Sequence, residues 1–123
     1  MAYNKNLDYS IIEISPTSQN FDNKKIVVAT ELLDQVSKDC ELGTYKIIAK
    51  IKGNDFAGTI CSHPFKSLGY QYEVPMLEAN FVTLEQGTGI VHCAPSHGPD
   101  DFNLCLKNGI KSLDTIDDDG KYT

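Results

Sequence analysis

The chain has 123 residues, 41% of them hydrophobic and 23% charged, with 11 Lys and Arg against 17 Asp and Glu for a formal net charge of −6. That length holds one domain with one modest core, burying roughly two-thirds of the surface the unfolded chain exposes, and the composition excludes disorder, collagen and low-complexity arrays. No basic run is longer than Lys24-Lys25, so the surface does not draw in a polyanion by long-range field, and a nucleic-acid role must take positive charge from elsewhere.

Apolar runs such as residues 26–29 and 47–49 fall far short of the roughly 20 residues that cross a bilayer. The start MAYNKNLDYS carries neither an apolar stretch nor an Arg-rich amphipathic pattern, so no targeting signal is visible and the cytoplasm is the expected compartment. Cys40, Cys61, Cys93 and Cys105 are too sparse and irregular for a disulfide scaffold or a zinc ribbon and are expected to be reduced.

In chain order, residues 9–14 (YSIIEI) are β-branched and apolar and end before Pro16, which predicts a strand. Residues 15–24 are turn-rich and lead as a hairpin-like loop into a second strand over 26–29. Leu32, Leu33 and Val36 follow helical spacing within 30–39, with Thr30 as the expected N-cap. The segment 44–52 (TYKIIAKIK) alternates with period two, Tyr45, Ile47, Ala49 and Ile51 on one face and a mostly basic set on the other.

Gly53-Asn54-Asp55 then predicts a hairpin turn into a strand over 56–61. His63-Pro64-Phe65 breaks the pattern; within 66–77, residues 70–74 can form an exposed strand ended by Pro75. Strands are also expected over 80–84 and 90–93. A helix is expected over 99–107, with proline in its first turn, two acids beside it, Phe102, Cys105 and Leu106 inward, and Asn108-Gly109 closing it. Residues 117–120 read as a turn. The sum is a mainly β domain, a small barrel in outline, with two or three peripheral α-helices.

Chemistry concentrates in segment 87–102, GTGIVHCAPSHGPDDF, between an expected strand and helix. Gly87-Thr88-Gly89 lets the backbone approach something closely, and Pro95 and Pro99 stiffen the loop. The plain reading stands beside this: glycines and prolines are usual in loops, and Asp100 or Asp101 in a first helical turn simply favours the helix dipole. His92, Cys93, His97 and Asp101 are competent zinc ligands. If 91–93 is extended, however, His92 and Cys93 point to opposite faces, which speaks against a metal and against a Cys93–His92 nucleophile pair. Cys105 on a helix's inner face reads as a small core residue.

That segment resembles the glycine-rich editing motif of isoleucyl-tRNA synthetase, in the inserted domain shared with the valyl and leucyl enzymes. KIVVATELL, GTICSHPF, ANFVTLEQGTG and DDDGKYT resemble further stretches of that domain, so the likeness runs from about Tyr3 nearly to the end. It implies a single, partial editing domain over residues 1–123, with Met1-Ala2 expected to be an added start. The family's threonine-rich strand, which lines the same pocket, and the synthetase signatures HIGH and KMSKS have no counterpart here.

The resemblance further implies hydrolysis of mischarged Val-tRNA as proofreading, on the acceptor end of the tRNA and beside the rest of a synthetase. No membrane, metal or cofactor is expected for this domain, and ATP and Mg belong to ligation elsewhere in such an enzyme. By the same resemblance Asp101 and His92 are the catalytic candidates, Asp101 holding the α-ammonium group and His92 limiting pocket volume. Substrate contacts fall on Gly87, Thr88, Gly89, His92, Ala94 and Asp101. Two other readings stay open: a binding or folding module without turnover, and editing in a valyl or leucyl enzyme, against which His92 and His97-Gly98 weigh.

Overall fold

A computed structural model describes residues 1–15 and 24–123. The loop expected over 15–24 lies outside the described residues except at its two ends. The chain forms two compact units, Met1–Val91 and His92–Thr123, and the strands β1 (Ala2–Tyr3), β2 (Asp8–Ile14), β3 (Lys25–Ala29), β4 (Tyr45–Lys52), β5 (Ile60–Ser62), β6 (Glu73–Pro75) and β7 (Leu77–Glu78) all lie in the first. The helices are α1 (Leu33–Asp39) in the first unit and α2 (Pro99–Lys107) in the second. The domain is therefore mainly β with two α-helices, as expected, and among the described residues its sheets do not close into a barrel.

The central sheet has the order β3-β2-β4, all antiparallel. Tyr9, Ser10, Ile12 and Ile14 of the middle strand are fully buried. Ser10, the polar member, exchanges a hydrogen bond with Thr30 Oγ1 at 2.8 Å, which offsets the cost of burying its hydroxyl. The β4 strand carries the predicted alternation with one irregularity. Ile11 pairs with Ala49 but Ile12 with Ile47, so Ile48 is an extra, bulged residue. This breaks the two-residue period locally, and Ile47 and Ile48 are both left about 40% exposed, at 40% and 41%.

Several sequence expectations fail for identifiable reasons. The β4–β5 hairpin does not form: Gly53–Phe56 is a 3-10 turn, in which the Asp55 carboxylate accepts the Lys52 N–H at 3.0 Å. That turn sends Phe56 inward against Tyr9 (ring centroids 4.9 Å, 79°) and Tyr3 (5.5 Å). Strand β5 pairs instead with β6, so the exposed strand expected over 70–74 shortens and shifts to Glu73–Pro75. Residues 80–84 are not a strand. Ala79 N–H still bonds to the Tyr3 carbonyl at 2.8 Å, but the next carbonyl held is that of Val82, by the Asn4 side chain at 3.0 Å, and a side chain cannot propagate a ladder.

The helix expected over 30–39 begins as a 3-10 turn, Thr30–Leu32, and Thr30 is not its N-cap; Ala29 is, without a side-chain bond, because the Thr30 hydroxyl is committed to Ser10. At the far end of α1, Leu42 N–H reaches the Ser37 carbonyl at 3.1 Å and Glu41 N–H the Lys38 carbonyl at 3.3 Å, a Schellman closure. It puts Glu41, not a glycine, at φ 50. The core collects on this framework from Tyr3, Tyr9, Ile12, Ile14, Val28, Leu33, Val36, Leu42 and Phe56.

Candidate functional site

In the first unit, Gly87 and Gly89 have φ of 75 and 78, a left-handed region costly for residues with a Cβ. The close approach expected at this turn is an internal one. A Cβ on Gly89 would stand 2.5 Å from the Ala29 Cβ and 3.4 Å from Tyr9 Cε1, whereas one on Gly87 would meet nothing within 4 Å. The Tyr9 hydroxyl donates to the Gly89 carbonyl at 2.6 Å in a buried bond and accepts the Asn4 N–H at 3.2 Å. Ala29 N–H donates to the Thr88 carbonyl at 2.8 Å. Burial raises the Tyr9 phenol above its ordinary value, so at neutral pH it stays a donor. Tyr9 and Ala29 were not legible as partners of the glycine turn, since nothing local in a strand's sequence marks one tyrosine hydroxyl as the anchor of a turn 80 residues on.

The strand expected over 90–93 reduces to one residue. Val91 forms an isolated antiparallel bridge to Ala2, with N–H to carbonyl distances of 2.7 and 2.9 Å. The bridge joins it to the two-residue strand β1, and the left-handed Gly89 ends the extended backbone on the other side. His92 and Cys93 thus lie outside any strand, and the opposite-faces argument against a metal loses its premise.

The second unit opens with His92, which is exposed, and Cys93 and Ala94, which are half-buried. Helix α2 has the predicted bounds, Pro99 at its start and Asp100 and Asp101 in its first turn. It closes with Gly109 at φ 72 and with Ile110 N–H on the Cys105 carbonyl at 2.9 Å and Gly109 N–H on the Leu106 carbonyl at 3.2 Å, the glycine closure the sequence implied. The inner face differs from expectation. Leu104 and Cys105 are buried, while Phe102 is 47% and Leu106 65% exposed, and the latter two line a cleft of about 430 Å3 with Pro95 and Ile110.

The two acids diverge in role. Asp100 is exposed, and half-buried Asp101 turns back on the loop, where its Oδ2 accepts the Ala94 N–H at 3.1 Å. Asp101 thereby closes the loop that follows His92 onto the helix start, and its carboxylate retains acceptor capacity for a second donor. Burial first, and then the negative charge of Asp101, raise the Cys93 thiol above its ordinary value. A thiol raised in this way is a poorer nucleophile than a free one. All four cysteines are thiols, and among the described residues no three His, Cys, Asp or Glu side chains are grouped to hold an ion.

Of the residues singled out from sequence, Ala94 and Asp101 are joined by that bond. Gly87, Thr88 and Gly89 belong to the first unit, and His92, Ala94 and Asp101 to the second.

The family described as leucyl-tRNA synthetase, editing domain, matches residues 11–122, and the chain belongs to it. Within that class its sequence is similar to those of isoleucine enzymes. It is 68% identical over its full length to the isoleucine–tRNA ligase of Pelagibacter ubique (strain HTCC1062) and 38% identical over 99% of its length to that of Gluconobacter oxydans (strain 621H). It spans 14% and 13% of those two proteins. The solved structure of GlLeuRS-CP1 superposes with a TM-score of 0.65 at 20% identity, over 97% of this chain and 51% of the other, which shows the fold. Among the described residues no helix is long and apolar enough to cross a membrane.

Proposed function

We propose that this chain carries out post-transfer editing, the hydrolysis of Val-tRNA(Ile), as part of an isoleucyl-tRNA synthetase acting in the cytoplasm. The reading is supported by the family membership, by the likeness to isoleucine–tRNA ligases, and above all by the Asp101 carboxylate, held at 3.1 Å from the Ala94 N–H. A carboxylate fixed in this way is preorganised to bind a second cationic donor, and the α-ammonium group of an aminoacyl ester is such a donor.

The need for a second sieve is physical. One methylene separates valine from isoleucine and is worth only about 1–3 kcal/mol in an apolar pocket, a general figure for which isoleucyl-tRNA synthetases are themselves the standard illustration. Asp101 anchors the ammonium, and the His92 imidazole limits the volume left for the side chain, refusing isoleucine. Gly87, Thr88 and Gly89 are assigned to the amino acid or the terminal adenosine. Water attacks the ester carbonyl, the bond to the ribose oxygen breaks, and valine leaves with the tRNA 3′ end restored.

An Asp101 paired with an ammonium serves as an anchor and need not be the general base, since a substrate hydroxyl or an ordered water can carry the proton. The step needs no cofactor; ATP and Mg2+ serve ligation elsewhere in the parent enzyme. The test is deacylation of Val-tRNA(Ile) and Ile-tRNA(Ile) by a synthetase carrying this domain. Valine is released from the first and isoleucine is retained on the second, and Asp101→Ala abolishes the release. Full activity in the variant removes Asp101 from the mechanism, and substrate binding with no valine release in the unaltered protein makes the domain a binding module.

A further inference from the structure

Away from the segment described above, the first unit carries an aromatic cluster that is not part of its core. His63 stacks on Tyr70 with ring centroids 5.0 Å apart and planes at 15°, and it meets Tyr72 at 5.1 Å and Phe65 at 5.8 Å. Its Nδ1 accepts the Phe65 N–H at 3.0 Å, which fixes the imidazole plane. Phe65, Tyr70 and Tyr72 are nevertheless 56%, 50% and 59% exposed. Tyrosines that served only as packing would bury their rings. Here flat faces are held open to solvent in the loop that joins β5 to β6.

Beside Tyr72 lies a cleft of about 140 Å3, lined by Ser62, Lys66, Gln71 and Glu73 as well as the Tyr72 ring. That is several times the roughly 30 Å3 share of one water and well below the roughly 300–1,000 Å3 of a site for a whole small molecule. It suits one flat ring of a larger ligand. Its polar groups combine a hydroxyl, an amide, a carboxylate and an ammonium, a set that a purely apolar docking patch would not require.

We propose that the His63–Tyr70–Tyr72 ring cluster and the cleft beside Tyr72 form a binding site for one unpaired nucleobase of a single-stranded RNA. The base stacks on Tyr72, and its edge is read by Gln71 and Glu73. Lys66 meets the adjoining phosphate. A carboxylate accepts from an exocyclic amino group and a side-chain amide suits adenine, so the site favours adenine and cytosine over uracil. The choice of RNA as the polymer rests on the proposed function. With a net charge of −6 and one lysine at the cleft, stacking and not the phosphate field supplies the affinity, so the dependence on salt is shallow.

The experiment titrates the 123-residue chain with end-labelled nine-nucleotide oligo(A), oligo(C), oligo(U) and a duplex RNA, read by anisotropy. Tyrosine emission gives a second readout, undisturbed because the chain has no tryptophan. Oligo(A) and oligo(C) are expected to bind more tightly than oligo(U) or the duplex. Tyr72→Ala should weaken oligo(A) by about 5- to 150-fold, the alanine-substitution range for one stacked base, and Tyr70→Ala, which removes the ring stacked on His63, should weaken it less. Tyr72→Phe, which keeps the ring and guards against misfolding, retains the affinity. Asp101→Ala, which ends hydrolysis under the proposed function, leaves oligo(A) binding unchanged, so the two readings fail separately. Affinity unaltered by either tyrosine substitution overturns the site, as does equal binding of duplex. A Tyr72→Ala effect on self-association alone makes the patch a protein-docking surface and also overturns it.

Discussion

The two halves of the GTGIVHCAPSHGPDDF segment are built on different physics. The glycine half is fixed from outside, by a buried tyrosine hydroxyl on the Gly89 carbonyl and by an alanine methyl group where a Cβ would stand. The acidic half is fixed from within, by a loop that Asp101 closes on the Ala94 N–H. Gly89 therefore answers to core packing, while the Asp101 carboxylate keeps acceptor capacity that the proposed function gives to a ligand. Substitution of Gly89 should act on stability and that of Asp101 on function.

The largest effect that checks this contrast is Gly89→Ala. The added methyl group meets Ala29 and takes up a left-handed backbone, so denaturant unfolding should show a loss of about 2–5 kcal/mol. Tyr9→Phe leaves the Gly89 carbonyl buried without its donor and should cost about 1–3 kcal/mol in the same measurement. Asp101→Ala loses one half-buried hydrogen bond, about 0.5–1.5 kcal/mol, while removing function. A stability loss there as large as that of Gly89→Ala would erase the distinction between the halves.

Alkaline pH gives a gentler probe. The Cys93 thiol and the Tyr9 phenol are both raised by burial, so each contributes stability that is complete below its ordinary value, 9.0 and 10.0, and is lost as pH rises through the higher folded value. Thermal unfolding should show the melting temperature falling in that alkaline range, and Tyr9→Phe should shrink the fall. The smallest effect is expected far from the segment. Glu41→Gly relieves a left-handed non-glycine residue in the α1 closure and should stabilise by up to about 1 kcal/mol, less the entropy glycine loses on folding.

Much of the framework was legible because it rests on local rules. Period-two patterning found β4, and proline at one end with Asn108-Gly109 at the other bounded α2 to the residue. What was illegible depends on contacts distant in sequence. A side-chain bond from Asn4 replaces a ladder at Val82. The Asp55-closed turn diverts β5 to β6. On the inner face of α2 the expected Cys105 is buried, but Leu104 is buried with it where Phe102 and Leu106 were expected, and those two stay exposed. At the candidate site the residues alone left Asp100 and Asp101 alike and the resemblance singled out Asp101; the structure bonds Asp101 to the loop and leaves Asp100 exposed beside it. The aromatic cluster left one sequence trace, the His63-Pro64-Phe65 break followed by Tyr70 and Tyr72, and nothing in that spacing predicts stacked rings.

The central claim is that Asp101 holds the substrate's ammonium group. Calorimetric titration of a non-hydrolysable valyl-adenosine amide tests it most directly, set beside the same compound lacking its amino group. Loss of a charge-assisted bond worth about 1.5–3 kcal/mol predicts that Asp101→Ala weakens the amino compound by roughly 10- to 150-fold, and that the deamino compound binds both proteins equally. Equal affinity of the amino compound for the two proteins would contradict the account.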